Sequence, residues 1–311
     1  MEKYRVVELA QLYPGPLAGR LLAGWGFEVV KIEPPGGDPM RSYIPSLFEA
    51  LNAGKYSVVL DLNREEDRRK LYRIVEGARA VLSSFRRASA ERLGVSYRRL
   101  SSINPHLFYV AITSYRDSDL PGHDLNFAGA AGLLEGRPIA PQCVDVASGL
   151  MAAFAVAAAA ATGRSGYLEV PMEGAAYMLN LLNFAQLRDR GDVFLTGRYP
   201  FYNVYDCRGG KVALGAVEEK FWRRFCELLG RRDLERRMYD PSAVGEVERE
   251  VSARDCGELL RRAEELDVPL SEVRSLQEAS RRVDLEDLVA PLLVKGGRAP
   301  RLGEHNAAFG V

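Results

Sequence analysis

Residues 5–37 read R-V-V-E-L-A-Q-L-Y-P-G-P-L-A-G-R-L-L-A-G-W-G-F-E-V-V-K-I-E-P-P-G-G, and this stretch decides the fold. Arg5–Leu9 is a short apolar strand. Tyr13-Pro14-Gly15-Pro16 makes a turn. Residues 17–25 have helical spacing and stop at Gly26. Glu28–Glu33 is a second strand, closed by Pro34-Pro35-Gly36-Gly37. Strand, helix, strand in so few residues predicts a βαβ unit, hence a parallel sheet with a right-handed crossover. Such sheets bind ligands beyond the carboxyl ends of their strands. Glu33 stands where a ribose-binding acid would. Gly15 and Gly19 are present, but the first turn has no G-x-G-x-x-G, which argues against a nicotinamide cofactor.

The alternation continues outward. Residues 57–62, 80–84, 107–113 and 166–171 read as strands. Their near-continuous apolar runs suit strands covered on both faces. Residues 64–77, 88–93 and 97–103 read as helices, the last stopped by Asn104-Pro105. Residues 146–162 are alanine-rich and too short to span a bilayer, so they read as a buried helix. Residues 173–188 read as one long helix. After Gly191 the character changes. Residues 200–205 are aromatic and extended, Cys207-Arg208-Gly209-Gly210-Lys211 is a hairpin turn, and helices are expected at Glu219–Leu229 and 257–266. The expectation is a large α/β domain over 1–190, with a C-terminal return over 281–311 that includes the apolar run 288–294. A smaller α+β domain covers 196–280.

The chain has 311 residues, 47% hydrophobic and 27% charged, with 42 Lys+Arg against 42 Asp+Glu. With no excess of base, nucleic acid is not expected as a partner. The charge clusters at 64–73 and 254–265 read as solvated helix faces. Cys143, Cys207, Cys226 and Cys256 have no metal-ligand spacing, and nothing in their spacing demands a disulfide. They are expected to be reduced thiols in a cytoplasmic protein. Met1 leads into a charged segment and then a strand, so no signal peptide and no membrane partner are expected.

Several separated segments then carry a resemblance. V-V-E-L-A-Q-L-Y-P-G-P, E-V-V-K-I-E-P-P-G-G-D-P-M-R, L-N-A-G-K-Y-S-V-V-L-D-L-N, S-S-F-R-R-A-S-A-E-R-L-G, I-N-P-H-L-F-Y-V-A-I-T and L-G-E-H-N occur in this order. Together they resemble the class III CoA-transferase and α-methylacyl-CoA racemase family, across essentially the whole chain. P-G-H-D-L-N-F and G-A-V-E-E-K-F are similar to the racemase branch. The resemblance implies His123 and Asp145 as the two acid/base residues, with Glu218 assisting the histidine. In the transferase branch the residue matching Asp145 is the nucleophile. It implies an open Rossmann-like parallel sheet, a smaller α+β domain, and two chains interlocked as rings in a homodimer. Active sites would lie where one chain's large domain meets the other's small domain. It maps CoA contacts onto Leu60, Asn63, Phe85, Arg92 and Tyr115. CoA would enter as part of an acyl-CoA thioester substrate of lipid metabolism, with no separate cofactor and no metal. Departures are T-S-Y-R at 113–116 in place of T-G-[FYW]-G, a shortened loop between His123 and Asp145, and V-A-S-G at 146–149.

The chemistry fits these residue types. Inverting a carbon beside a thioester carbonyl needs one group to take a proton and another to return one to the opposite face. Histidine titrates in the working range. An aspartate reaches it when burial disfavours its charge, and Asp145 sits between Val144 and Val146. The enolate oxygen needs donors, and the backbone N–H groups opening helix 146–162 are the first expectation. The CoA phosphates call for Arg92 with one of Lys31, Arg41 or Arg86. Taken singly, the same residues are ordinary: His123 a loop histidine after Pro-Gly, Asp145 a helix cap, Glu218 a first-turn helix acid. Three activities are therefore weighed: a 2-methylacyl-CoA epimerase, a CoA-transferase working through Asp145, and a CoA-binding protein without catalysis.

Overall fold

Residues 5–9, with the β-branched pair Val6-Val7, form β1 (Arg5–Leu9), and the sheet grows from it on both sides. The computed structural model describes residues 4–134, 138–139, 141–284 and 296–311. The apolar run 288–294, expected to return to the first domain, lies outside the described residues, as do all of residues 285–295. Met1–Asn180 with Asp284–Val311 form one compact unit, and Leu181–Val283 a second.

In the first unit β1 is followed by α1 (Pro14–Gly24), β2 (Glu28–Glu33), α2 (Met40–Tyr43), α3 (Pro45–Asn52) and β3 (Tyr56–Val59). Next come α4 (Glu65–Glu76), β4 (Ala80–Ser83), α5 (Arg87–Arg92), α6 (Tyr97–Ser101) and β5 (Phe108–Thr113). The run closes with α7 (Asp124–Ala130), α8 (Cys143–Thr162), β6 (Gly166–Pro171) and α9 (Met172–Leu179). The sheet order is β3-β2-β1-β4-β5-β6, and every pairing is parallel. The order reverses between β1 and β4, which opens a crevice at the carboxyl ends of the strands. This is the Rossmann-like arrangement.

The period of two along each strand assigns the faces. Val6 and Val29 pack under α1 and α8, whereas Val7, Leu9 and Val30 pack on the side of α4. The same alternation puts Glu8 and Lys31 under α1, buried. Lys31 Nζ contacts Glu8 Oε1 at 3.0 Å and Asp38 Oδ2 at 2.9 Å, while Lys55 Nζ reaches Glu8 Oε2 at 2.7 Å. Gly19 must pass over this group, because a Cβ there would lie 1.8 Å from Glu8 Oε2. The conflict between burial and charge is met by pairing.

Helix α8 begins at Cys143, three residues before the expected start. It spans 20 residues and contains an 18-residue window of mean hydropathy 1.8, long and apolar enough to cross a membrane by length and composition, which corrects the expected length; half of that window is buried within the protein. Within this unit its alanine face packs on α1 and the sheet. Gly149 allows that close approach: a Cβ there would stand 2.7 Å from Pro14 O. The expected helix 173–188 is broken. Asn180 turns aside and donates from Nδ2 to Ala131 O at 2.8 Å, so α9 ends before it.

Residues 296–311 lie along the open edge of β3. Gly54 N donates to Arg298 O at 2.9 Å and His305 N to Ser57 O at 3.0 Å. In return Ser57 N donates to His305 Nδ1 at 3.1 Å and Val59 N to Asn306 Oδ1 at 2.9 Å. His305 is thus a structural residue.

The second unit opens with α10 (Leu181–Arg190), ahead of residue 196 where the sequence had placed the smaller domain. It continues with β7 (Tyr202–Cys207), β8 (Gly210–Gly215), α11 (Glu219–Leu229), α12 (Val244–Ser252), α13 (Cys256–Glu265), β9 (Leu270–Glu272) and α14 (Leu276–Ser280). The three strands form an antiparallel sheet in the order β7-β8-β9. Trp222, Phe225 and Leu228 of α11 pack with Tyr205 and Val212 of the hairpin. Two of the four cysteines are not reduced thiols as expected. Cys207 and Cys256 form a disulfide across a sequence separation of 49. The hairpin end and the start of α13 meet there through a bridge between Arg208 and Asp255, a proximity that linear spacing does not reveal.

Candidate active site

Chain reversal after β5 builds the site. His123 is the N-cap residue of α7, and its backbone N donates to Asn126 Oδ1 at 3.0 Å. Asp124 opens α7 and caps a different helix. Its Oδ1 accepts from Val144 N at 2.7 Å and Asp145 N at 2.9 Å, satisfying two free amides at the start of α8. A carboxylate on a helix N-terminus is favoured by both hydrogen bonding and the dipole. Asp145 itself lies inside the first turn, not at the cap that its sequence position suggested.

These contacts bring His123 and Asp145 to one cavity of about 680 Å³ at the carboxyl edge of the sheet. Tyr13, Arg86, Thr113 and Met172 share its wall. Burial first, and the nearby Asp124 carboxylate second, push the Asp145 pKa up to about 6. That places a carboxylate close to the neutral range, as general acid–base work requires. The Thr113 hydroxyl is buried and, among the described residues, has no hydrogen-bond partner.

A smaller cavity of about 330 Å³ lies at the ends of β1 to β4 and is lined by Leu60, Asn63 and Phe85 among others. It shares Gln11, Leu12, Ser84 and Phe85 with the larger one, so the two cavities adjoin. Leu12, at φ +69, holds a left-handed backbone at this shared wall. Of the remaining residues expected to contact CoA, Arg92 donates to Asn63 Oδ1 at 3.4 Å, at the rim. Tyr115 packs edge-on against Phe127 at 5.2 Å and lines neither cavity. Two of the cations considered for phosphate are already committed. Lys31 is buried in the ion group, and Arg41 is bound to Glu33 through Nε at 2.8 Å and Nη2 at 2.7 Å. Glu33 is thereby occupied as well. Arg86 remains on the wall of the larger cavity.

Glu218 lies in the second unit, exposed, as the N-cap residue of α11 just after β8. Among the described residues no three His, Cys, Asp or Glu side chains gather as a metal site would. Sequence reasoning missed two residues of the larger cavity's surroundings, Asp124 and Tyr13. The H-D dipeptide was a signal for the first. Nothing local announced the second.

A six-stranded parallel α/β sheet with a cavity at its carboxyl edge, walled by a histidine and a carboxylate of raised pKa, defines the class of fold. The chain belongs to CoA-transferase family III, whose sequence model matches residues 1–305, a family of enzymes acting on CoA thioesters. A probable fatty acyl-CoA transferase of Mycobacterium tuberculosis is 32% identical across 75% of this chain and 70% of its own length. The α-methylacyl-CoA racemase of Homo sapiens is 33% identical across 72% of this chain and 63% of its own. The orthorhombic crystal structure of the mycobacterial protein matches at a TM-score of 0.84 and 26% identity, covering 99% of this chain and 98% of that one. The family thus includes both racemases and CoA-transferases among the relatives of this chain.

Proposed function

We propose that this protein racemises the α-carbon of 2-methylacyl-CoA thioesters by two-base proton transfer. The observation that carries the reading is the presence of both His123 and Asp145 on the wall of one cavity. One group takes the α-proton. The C–H electron pair moves into the bond to the carbonyl carbon, and the carbonyl π pair moves onto oxygen. The other group then protonates the opposite face. A carboxylate with its pKa near 6 is a stronger base than an ordinary aspartate and is still largely ionised at neutral pH. The CoA moiety lies in the adjoining cavity against Leu60, Asn63 and Phe85. The assisting role of Glu218 and an interlocked homodimer belong to the same reading.

A second reading is CoA transfer, favoured by the name of the mycobacterial relative. Asp145 then attacks the thioester carbonyl and expels CoA thiolate, leaving a mixed anhydride. The thiolate attacks the aspartyl carbonyl, releasing the first acid and leaving an aspartyl-CoA thioester. An incoming carboxylate attacks that thioester and displaces the thiolate, which then takes the new acyl group and frees Asp145.

The two are separated in D₂O with a panel of 2-methylacyl-CoA esters. Deuterium entering the α-carbon, and lost in both His123→Ala and Asp145→Ala, is the expected result. No exchange, with CoA moving to an added carboxylate and hydroxylamine trapped at Asp145, establishes transfer instead. CoA binding without either activity leaves a binding protein.

A further inference from the structure

Both reactions drive negative charge onto the thioester oxygen, as an enolate in one and a tetrahedral oxyanion in the other. Donors aimed at that oxygen contribute much of the rate in such enzymes. The start of α8 is the obvious source, and it is spent. Cys143 N donates to Pro141 O at 3.0 Å, and Val146 N to Gln142 O at 3.1 Å. Val144 N and Asp145 N both donate to Asp124 Oδ1, at 2.7 and 2.9 Å. No amide of the first turn is left to face a ligand, whereas donor side chains line the same cavity.

Tyr13 meets the requirement. It is the N-cap residue of α1, at the carboxyl end of β1, and it lines the cavity that holds His123 and Asp145. Its ring is half-buried against the core. The adjacent Pro14 is docked against Gly149, one helical turn beyond Asp145. Among the described residues no hydrogen bond occupies its hydroxyl. Burial, then the charges of Asp145 and Asp124, hold the phenol above its ordinary pKa, so it keeps its proton and can donate it.

We propose that Tyr13 is a catalytic residue whose hydroxyl donates a hydrogen bond to the thioester carbonyl oxygen of the bound acyl-CoA. It keeps its proton throughout. In racemisation the C–H electron pair moves into the bond to the carbonyl carbon, in transfer the carboxylate pair forms the new C–O bond, and in both the carbonyl π pair moves onto oxygen, where the phenol stabilises it. The proposal rests on the reading that Asp145 acts on a CoA thioester, and it holds for racemisation and transfer alike.

The test uses the full chain and a 2-methylacyl-CoA labelled with ¹³C at the carbonyl. Infrared spectra of the bound thioester are compared in Asp145→Ala and in Asp145→Ala combined with Tyr13→Phe. Turnover is measured in Tyr13→Phe alone, as α-proton exchange and as CoA transfer. The expected result is a carbonyl band lowered on binding to the single variant and restored in the double one. Turnover in Tyr13→Phe falls on the order of 10²-fold in kcat with KM little changed. An unaltered band in the double variant, with normal turnover in Tyr13→Phe, overturns the proposal. So does a band that survives there but is lost when Thr113→Val replaces Tyr13→Phe. A shift in acyl preference in Tyr13→Ala with Tyr13→Phe normal makes the residue a wall, and also overturns it. Failure of the underlying reading looks different. Full turnover in Asp145→Ala removes that residue's assignment while the infrared comparison still decides Tyr13.

Discussion

At the residue scale, Asp124 acts on Asp145 in two opposed ways. It satisfies amides at the start of α8, including that of Asp145, and its charge makes ionisation of Asp145 harder. On the proposed racemase reading, the proton-abstracting form of Asp145 is the carboxylate. Turnover in the direction that uses it as base should therefore fall on acidification, with a limb near pH 6. Asp124→Asn keeps an oxygen for the amides but removes the charge. The limb should move to lower pH, with stability changed by about 1 kcal/mol or less; pH–rate profiles of the two proteins check both. The same shift has a stability sign. A folded-state pKa raised above the unfolded value favours folding below the unfolded pKa, near pH 4, and that contribution is lost as pH rises through about 6. Asp145→Asn should raise the melting temperature above pH 6 while abolishing turnover. His123 and Asp145 stood out in the sequence because their residue types name their chemistry. Tyr13 did not, since an aromatic in a Pro-Gly turn reads as turn or core until the chain brings α8 to it.

At the element scale, the contact of α1 with α8 sets the distance between Tyr13 and Asp145. Gly149→Ala would place a methyl against the carbonyl of Pro14, a backbone atom with little room to yield. Overpacking of this kind costs about 1–3 kcal/mol. Turnover should fall more than substrate affinity, because in the proposed mechanism the displaced elements carry the reacting groups; thermal melts and separate kcat and KM values check this. The start of α8 was misplaced in the sequence for a physical reason. A cap next to the helix is a local signal, whereas Asp124 supplies this one from 20 residues away. The break at Asn180 is similar: its bond to Ala131 O is tertiary, and the apolar spacing of 173–188 runs straight through it. The strands were legible because a parallel strand buried on both faces is an apolar run in any context.

At the scale of the whole molecule, the chain divides into two units with separate cores, and only the second carries a disulfide. Closing a loop of 49 residues restricts the unfolded chain by about 4 kcal/mol in the chain-entropy account. Reduction, or Cys207→Ser, should lower the unfolding midpoint of the second unit and leave the first unchanged. Calorimetry with and without reductant, read with a probe on Trp222 of the second unit, checks it. The parallel sheet was readable from 5–37 alone, because βαβ handedness and strand twist leave few alternatives. The pairing of Cys207 with Cys256 was not, since it depends on how a hairpin and a helix meet.

The tail along β3 has a consequence for synthesis. The edge it covers is made of residues 54–59, and the groups that cover it come 246 positions later, as the Ser57–Gly303 contact shows. At ribosomal speeds of about 5–20 residues per second, that separation is roughly 12–50 s. Through that interval a nascent chain carries a sheet edge open to pairing with any other strand. The first strands to emerge are among the last to be sealed, so a pause or a truncation late in translation exposes a fault line laid down at its start.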